Sequence, residues 1–409
     1  MRFLIPFALL LIFDWYVFQA FRVVALSWQG PLRQIIFAIY WTIPIALFSW
    51  MLATSNGWTQ PMSKGSVTII STLFFIVYIS KMVAGGVLLI DDFRRLITWG
   101  VNYFSPQSNF SVSRSKFLTH TALVVGSLPF ISLLHGIIRN PYRYKLFSEK
   151  VLLPKLPPAL QGLKIVQISD IHSGSFLLKE PIQNAIDLIN EQKPDLIFFT
   201  GDLVNSIADE VDPYLDLFGQ IKAKHGVYSV LGNHDYGDYH HWNSKEEKDA
   251  NLARLKAAHE KMGWRLLMNE NELIDINGHQ VAVIGVENYS AHLRFPKYGD
   301  LTKAYAGAEA GAVKLLLSHD PSHWEAQVVS DFPEIDITFS GHTHGMQFGV
   351  EIPGWFKWSP IKYVYKQWAG LYQNANQYLY VNRGLGYLGY PGRVGILPEV
   401  TLIELQALG

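Results

Sequence analysis

Four apolar stretches near the N-terminus, at about residues 3–23, 34–53, 67–90 and 117–138, constrain this chain more than any other feature. Each is close to the ~20 residues a helix needs to cross the hydrocarbon core of a bilayer. The second contains no Lys, Arg, Asp or Glu. A cleaved signal peptide would account for the first stretch alone, and no small-residue cleavage site follows it. The fourth holds Pro129, His120 and His135, which a membrane helix tolerates when neighbours satisfy the freed groups. Residues 1–140 therefore read as an all-α bundle of about four transmembrane helices in a cell membrane.

Charge supports the division. The chain is neutral overall, with 34 basic and 34 acidic residues. Yet residues 1–140 contain ten Lys/Arg and three Asp, a balance of +7, so the remaining 269 residues carry −7. An acidic globular half argues against nucleic acid as a partner. Asp14 and Lys81 fall inside the first and third spans: either they meet at similar depth as a pair, far cheaper in lipid than either charge alone, or Lys81 snorkels to an interface. Basic residues flanking the spans divide six against six. The positive-inside rule therefore leaves the side of the C-terminal half unresolved, with only a cytoplasmic lean. The absence of cysteine excludes disulfides, thiolate metal sites and cysteine nucleophiles.

Residues 141–161 are charged and proline-rich and read as an extended linker. Beyond them, over 162–409, short apolar runs recur at 163–169, 195–200, 227–231, 281–286, 313–318 and 336–340, each suited to a buried strand. Helical patterns lie between, at Pro181–Gln192 and Glu246–Met262. Residues 345–407 read as further sheet. Strand–helix alternation implies an α/β fold, its sheet layers covered by helices.

The informative residues follow the strands. The runs end in Asp170-Ile-His172, Gly201-Asp202, Gly232-Asn233-His234-Asp235, His319 and Gly341-His342-Thr343-His344. Ligands of open α/β sheets bind at that edge. Carboxylate, amide and imidazole donors without thiolate suit Mn, Fe, Zn, Ni or Co, with Mg also acceptable. Seven such donors, Asp170, His172, Asp202, Asn233, His319, His342 and His344, are too many for one tetrahedral ion with an open position. They suit two ions, about 3.5–4 Å apart, able to activate a water between them.

The order D-x-H, G-D-x-x-N, G-N-H-D, a later His and G-H-T-H resembles the calcineurin-like metallophosphoesterases. The ending YVNRGLGYLGYPGRVGILPEVTLIEL is similar to their membrane-associated branch, some of whose members are UDP-2,3-diacylglucosamine pyrophosphatases. The resemblance implies a four-layer β-sandwich flanked by helices and two divalent metal ions. Asp170, His172 and His344 would hold one ion, Asn233, His319 and His342 the other, with Asp202 bridging. His234 would serve the phosphoryl or leaving-group oxygen, and Asp235 would orient its imidazole. The implied activity is hydrolysis of a phosphodiester or pyrophosphate, with a lipid-linked substrate as one reading of the membrane tether. The alternatives are a soluble substrate with the membrane setting location only, and a non-catalytic receptor or scaffold. Met346 departs from the pattern, standing where a second glycine is expected.

Other residues carry weaker signals. His240 and His241 read as exposed loop residues, and His225, His259, His279, His292 and His323 as surface or core. Arg383 and Arg393 suit either a phosphate clamp or a structural ion pair. Residues 354–380 interleave nine aromatic side chains with Lys357, Lys362 and Lys366. That composition fits a lip at a membrane–water interface or, equally, cross-strand aromatic packing.

Overall fold

A computed structural model describes residues 4–25, 28, 30–59, 62, 64–104, 112–352 and 354–408. The chain divides into two compact units, Met1–His135 and Gly136–Gly409.

The first unit is built from α1 (Leu4–Ala25), α2 (Pro31–Ser55), α3 (Lys64–Phe104) and α4 (Val112–Arg139). All four are long and apolar enough to cross a membrane. Large side chains such as Leu9, Ile12, Ile39 and Ile45 point outward, while Ala20, Ala84 and Ala122 are buried. That inversion of a soluble core is what a bilayer solvent permits, because close helix contact there depends on small residues. At Gly126 a Cβ would stand 2.6 Å from the Cβ of Ala84, so α3 and α4 meet too closely for a larger residue. The third span is longer than expected. Its helix runs 41 residues, 14 past the expected end, and Asp91 pairs there with Arg94 and Arg95 one turn on. At 1.5 Å per residue it is about 60 Å long, well beyond the hydrocarbon thickness.

Asp14 and Lys81 meet. Lys81 Nζ lies 2.5 Å from Asp14 Oδ1. The Tyr78 hydroxyl donates to Asp14 Oδ2 at 2.8 Å, and the Tyr40 hydroxyl donates to the Asp14 carbonyl at 2.7 Å. Removing one partner strands the other charge in an apolar medium. Asp14→Asn and Lys81→Met should each destabilise the chain in detergent by about 3 kcal/mol, read from its unfolding transition. The double variant should lose clearly less than their sum, and strict additivity would show that the pair is uncoupled.

The second unit contains, in chain order, β1 (Lys145–Leu153), β2 (Lys164–Ile168), β3 (Leu196–Phe199), β4 (Val227–Ser229), β5 (Trp264–Leu266), β6 (Glu270–Ile276), β7 (His279–Gly285), β8 (Val313–Leu317), β9 (Ile337–Ser340), β10 (Val350–Ile352), β11 (Phe356–Trp358), β12 (Gly370–Asn374), β13 (Gln377–Val381) and β14 (Glu399–Ala407). One six-stranded sheet has the order β1-β14-β2-β3-β4-β5 and the other β12-β13-β9-β8-β7-β6, while β10 and β11 form a separate hairpin. Alternation along each strand builds the layers. Ile165, Leu196 and Phe198 of one sheet pack against Val283, Leu315 and Phe339 of the other. Their neighbours Val166, Ile197 and Phe199 face the opposite way, onto Ile182, Ile186 and Ile189 of α5 (Glu180–Glu191). On the far side Ile284, Leu316 and Val381 meet Leu301, Trp324 and Val328. The result is helix, sheet, sheet, helix, the expected four layers.

Two expectations need correction. The segment 141–161 is not simply a linker, because β1 pairs in parallel with β14 from Lys145 to Leu153 and edges the first sheet. Its charges conceal the strand, since only Val151 and Leu153 are fully buried in it. The strands β5 and β6 were not anticipated either; β5 is three residues long, and β6 has a half-buried, polar pattern.

His259, on helix Lys245–Lys261, is fully buried against Phe199 and Trp264, with Nδ1 3.0 Å from Ser229 Oγ. Burial lowers its pKa to about 3. The unfolded chain therefore takes up this proton below about pH 6.5, whereas the folded chain does not. Its contribution is complete above that pH and lost as the pH falls toward 3. Between pH 7 and 5 the loss should approach about 2 kcal/mol. His259→Leu should flatten that part of the melting-temperature profile, and an unchanged profile would refute the assignment.

Candidate metal centre

Strands β2, β3 and β4 run parallel, as do β7, β8 and β9, and their C-terminal ends deliver the predicted residues. The turns that follow are tight. Asp170, His172, Asp202, His342 and His344 all adopt left-handed backbone, with φ of 50°, 49°, 62°, 70° and 51°. Such conformations cost of order 1 kcal/mol or more each and cluster at functional sites. Two glycines make the convergence sterically feasible. A Cβ at Gly341 would lie 2.2 Å from Asp170 Oδ2, and one at Gly232 would lie 2.2 Å from Asp202 Oδ1.

All seven predicted donors come together. Asp170, His172 and His344 form one group and Asp202, His319 and His342 a second, the chosen donor atoms of each lying within 4.8 Å of one another. In the first, His172 Nε2 is 3.0 Å from His344 Nε2, which is 3.3 Å from Asp170 Oδ1. In the second, His319 Nε2 is 3.2 Å from Asp202 Oδ2 and 3.3 Å from His342 Nδ1, and Asn233 Oδ1 is 2.8 Å from that same Nδ1. Asp202 Oδ2 also lies 3.6 Å from His172 Nε2, so one carboxylate reaches both groups.

The donors fit divalent cations. Burial holds the imidazoles of His172 and His342 at pKa values of about 3 and 4, and His344 well below the ordinary range, so these rings are neutral and keep a lone pair. His319 is the exception. Burial would lower it, but the Asp202 carboxylate outweighs burial and raises it to about 10. Asp202 moves the opposite way: burial opposes its charge, and His319 and His234 nevertheless hold its pKa well below the usual carboxylate range.

Groups behind the donors fix their orientation. His319 Nδ1 is 2.7 Å from the Thr200 carbonyl, which turns Nε2 inward. His342 Nε2 is 2.8 Å from the Tyr365 hydroxyl, which donates to Asp320 Oδ2 at 3.1 Å. That relay leaves His342 Nδ1 facing the centre. The sequence reading missed both residues. Asp320 directly follows a candidate ligand and was a readable signal, whereas Tyr365, 21 residues past His344, was not. Tyr365→Phe should weaken divalent-metal binding by about 10–100-fold in a metal titration; unaltered affinity would show the relay to be idle.

The expected role of Asp235 is corrected. Its carboxylate accepts from the backbone N–H groups of Asp202, Leu203, Val204 and Gly232 at 2.8–3.2 Å. It therefore pins the Asp202 loop and does not touch the neighbouring imidazole. Consecutive side chains on this turn point apart, the carboxylate inward and the ring outward. His234 is oriented by Asn205, whose carbonyl is 2.7 Å from Nδ1, and packs on Tyr239 at 4.5 Å and on His172 at 5.0 Å between ring centroids. Tyr239 also accepts from Asn233 Nδ2 at 2.9 Å.

The remaining candidates separate cleanly. His240 and His241 are exposed, and His240 packs on Trp242. Arg383 is committed to Glu399 and Glu351, both at 2.6 Å. Arg393 is fully buried and donates to the carbonyls of Arg383, Gly384 and Gly386. Neither arginine is a phosphate clamp in this arrangement. The aromatic stretch divides: Tyr365, Trp368, Tyr378 and Tyr380 are buried, whereas Trp355 and Tyr363 are exposed. Met346 takes the left-handed backbone (φ 55°) expected of a glycine and turns its side chain to the surface.

Comparison with known proteins agrees with this geometry. Residues 163–346 match the family of calcineurin-like phosphoesterases, and residues 1–141 match a family described as probable calcineurin-like phosphoesterase, transmembrane domain. A Bacillus subtilis protein described as an uncharacterized metallophosphoesterase, YkuE, is 30% identical over 66% of this chain and 87% of its own. Proteins described as transmembrane protein with metallophosphoesterase domain are 30% identical in Danio rerio and 31% in Bos taurus, over 66% and 71% of this chain. Those matches span 60% and 64% of the two vertebrate proteins. The chain thus belongs to the calcineurin-like metallophosphoesterase family and carries a transmembrane helical region ahead of its phosphoesterase domain.

Proposed function

We propose that this protein is a two-metal phosphoester hydrolase, anchored in the membrane, that cleaves phosphodiester or pyrophosphate bonds, including those of lipid-linked substrates. The observation that carries the reading is Asp202, a single carboxylate within reach of two separate donor groups. Asp170, His172 and His344 would hold one cation, Asn233, His319 and His342 the second, and Asp202 both. Mn, Fe and Zn are the preferred occupants of such a nitrogen–oxygen set, with Mg or Ni as substitutes. Two divalent cations there supply Lewis acidity and lower the pKa of a water for attack on phosphorus.

The protein's own groups do the rest. Asn205 engages His234 Nδ1, so Nε2 is the ring atom available to a phosphoryl or leaving-group oxygen. Asp235 keeps the Asp202 loop in register through four backbone N–H groups. The left-handed ligand turns hold the donors in place before substrate arrives, which is the preorganisation that electrostatic catalysis requires.

The test is turnover by the full chain in detergent with Mn²⁺, comparing an aryl phosphodiester, an aryl phosphomonoester and a pyrophosphate-linked lipid. Hydrolysis of any of these supports an enzyme, and preference for the lipid supports a membrane-held substrate. Failure on all of them with every candidate metal would favour the non-catalytic reading.

A further inference from the structure

Exposed large apolar side chains are not scattered over the second unit. Among the described residues from 140 onward, all but Leu152, Leu273 and Leu408 lie in segments that follow β2, β4, β7 or β9. Three of those strands deliver candidate ligands, and β7 lies beside β8, which delivers a fourth set. Leu177 and Leu178 come after His172, Leu293 after β7, and Trp355 and Tyr363 after His344. Trp355 is 81% exposed, Tyr363 75%, and Leu293 projects fully into solvent.

Two of these segments border the centre, the one after β4 through Tyr239 beside Asn233 and His234, and the one after β7. The ring of Phe295 lies edge-on to His342 at 4.6 Å, and that of His292 lies 4.7 Å from Tyr365. The apolar surface and the candidate ligands therefore share one edge of the double sheet. Exposed apolar surface concentrated at one edge in this way marks an interaction site.

The chemistry of the strip identifies what it meets. Residues 345–380 contain Lys357, Lys362 and Lys366 but only one acid, Glu351, which is ion-paired with Arg383; Lys366 pairs with Glu325 and Lys357 donates to the Ala369 carbonyl, whereas Lys362 is exposed beside Tyr363. The strip is thus basic and aromatic within residues 141–409, whose balance is −7. Exposed Trp and Tyr beside Lys suit the headgroup level of a bilayer, and anionic lipid attracts an exposed lysine such as Lys362. Five residues, 140–144, separate α4 from β1, so the covalent tether keeps this unit at the membrane.

We propose that the face carrying the candidate ligands is the bilayer-docking face of this unit, seated on anionic lipid by Leu293, Trp355, Tyr363 and their neighbours. An amphiphilic substrate could then keep its tail in the bilayer while its phosphoester reaches the centre. That consequence rests on the phosphoesterase reading; the docking itself does not.

The absence of cysteine makes a direct test available. Leu293→Cys and Trp355→Cys, with Leu273→Cys as the control outside these segments, are each labelled with an environment-sensitive dye. The full chains, checked for parental unfolding temperature, are placed in phosphatidylcholine–phosphatidylglycerol vesicles. Dyes at 293 and 355 should be quenched severalfold more by nitroxide-bearing lipid than the dye at 273, and should lose access to aqueous iodide. Iodide access equal to that at 273 would overturn the proposal. Shielding from both quenchers would also overturn it, because a protein surface, such as a second copy of this chain, would then be the occupant. No turnover is read, so a chain that docks but hydrolyses nothing would refute the enzymatic reading alone.

Discussion

With Asp202 replaced by Asn, turnover of an aryl phosphodiester falls about a thousandfold or more, equivalent to about 4 kcal/mol of transition-state stabilisation. The substitution keeps the shape of the side chain and removes its charge. Asp202 Oδ2 lies 3.2 Å from His319 Nε2 and 3.6 Å from His172 Nε2, so the loss is felt in both donor groups. Elemental analysis should find about two divalent ions per parent chain and clearly fewer in the variant. A variant that retains both ions and parental turnover would remove the basis for a bridging carboxylate. Chelation of the parent should abolish activity, and added Mn²⁺ should restore it.

His234→Asn should behave differently. Metal content stays at the parental level, because His234 belongs to neither donor group. Turnover of a substrate with a poor alkoxide leaving group falls by about 10²–10⁴-fold, the usual worth of a positioned general acid. A nitrophenyl ester, whose leaving group needs little protonation, should lose much less. Equal losses on both substrates would assign His234 to phosphoryl binding instead of proton transfer. Asp235→Asn provides the contrast. Its carboxylate accepts four backbone N–H bonds and touches no imidazole. Its effect should therefore include destabilisation of the Asp202 loop and show no dependence on the leaving group.

Much of this protein is legible in its amino-acid sequence. The four spans announce themselves because each helix must be apolar over its whole bilayer length. The seven donors are legible because they directly follow the strands, where the glycines and the period of the apolar runs mark the turn. Asp14 and Lys81 stand out because an ion inside lipid requires a partner or a path to the interface, and the structure shows that they partner each other. Local sequence can carry all of these, since each depends on residues close to one another in the chain or on a solvent that penalises every exception.

What only the tertiary structure decided are partnerships across long separations. The Asp235 carboxylate sits next to His234 in sequence, yet it is consumed by N–H groups some 30 residues away. Tyr365 reaches His342 and Asp320 only because the chain returns to the centre after the β10–β11 hairpin. Arg383 and Arg393 both lie in glycine-rich turns, and only their buried partners reveal that neither is free for a ligand. β1 hides within a charged segment because its hydrogen-bonding partner β14 lies some 250 residues later. The aromatic run after His344 has one composition but two destinies, buried for Trp368 and exposed for Trp355. Composition specifies what a side chain can do, whereas packing determines which of its neighbours, or which solvent, it meets.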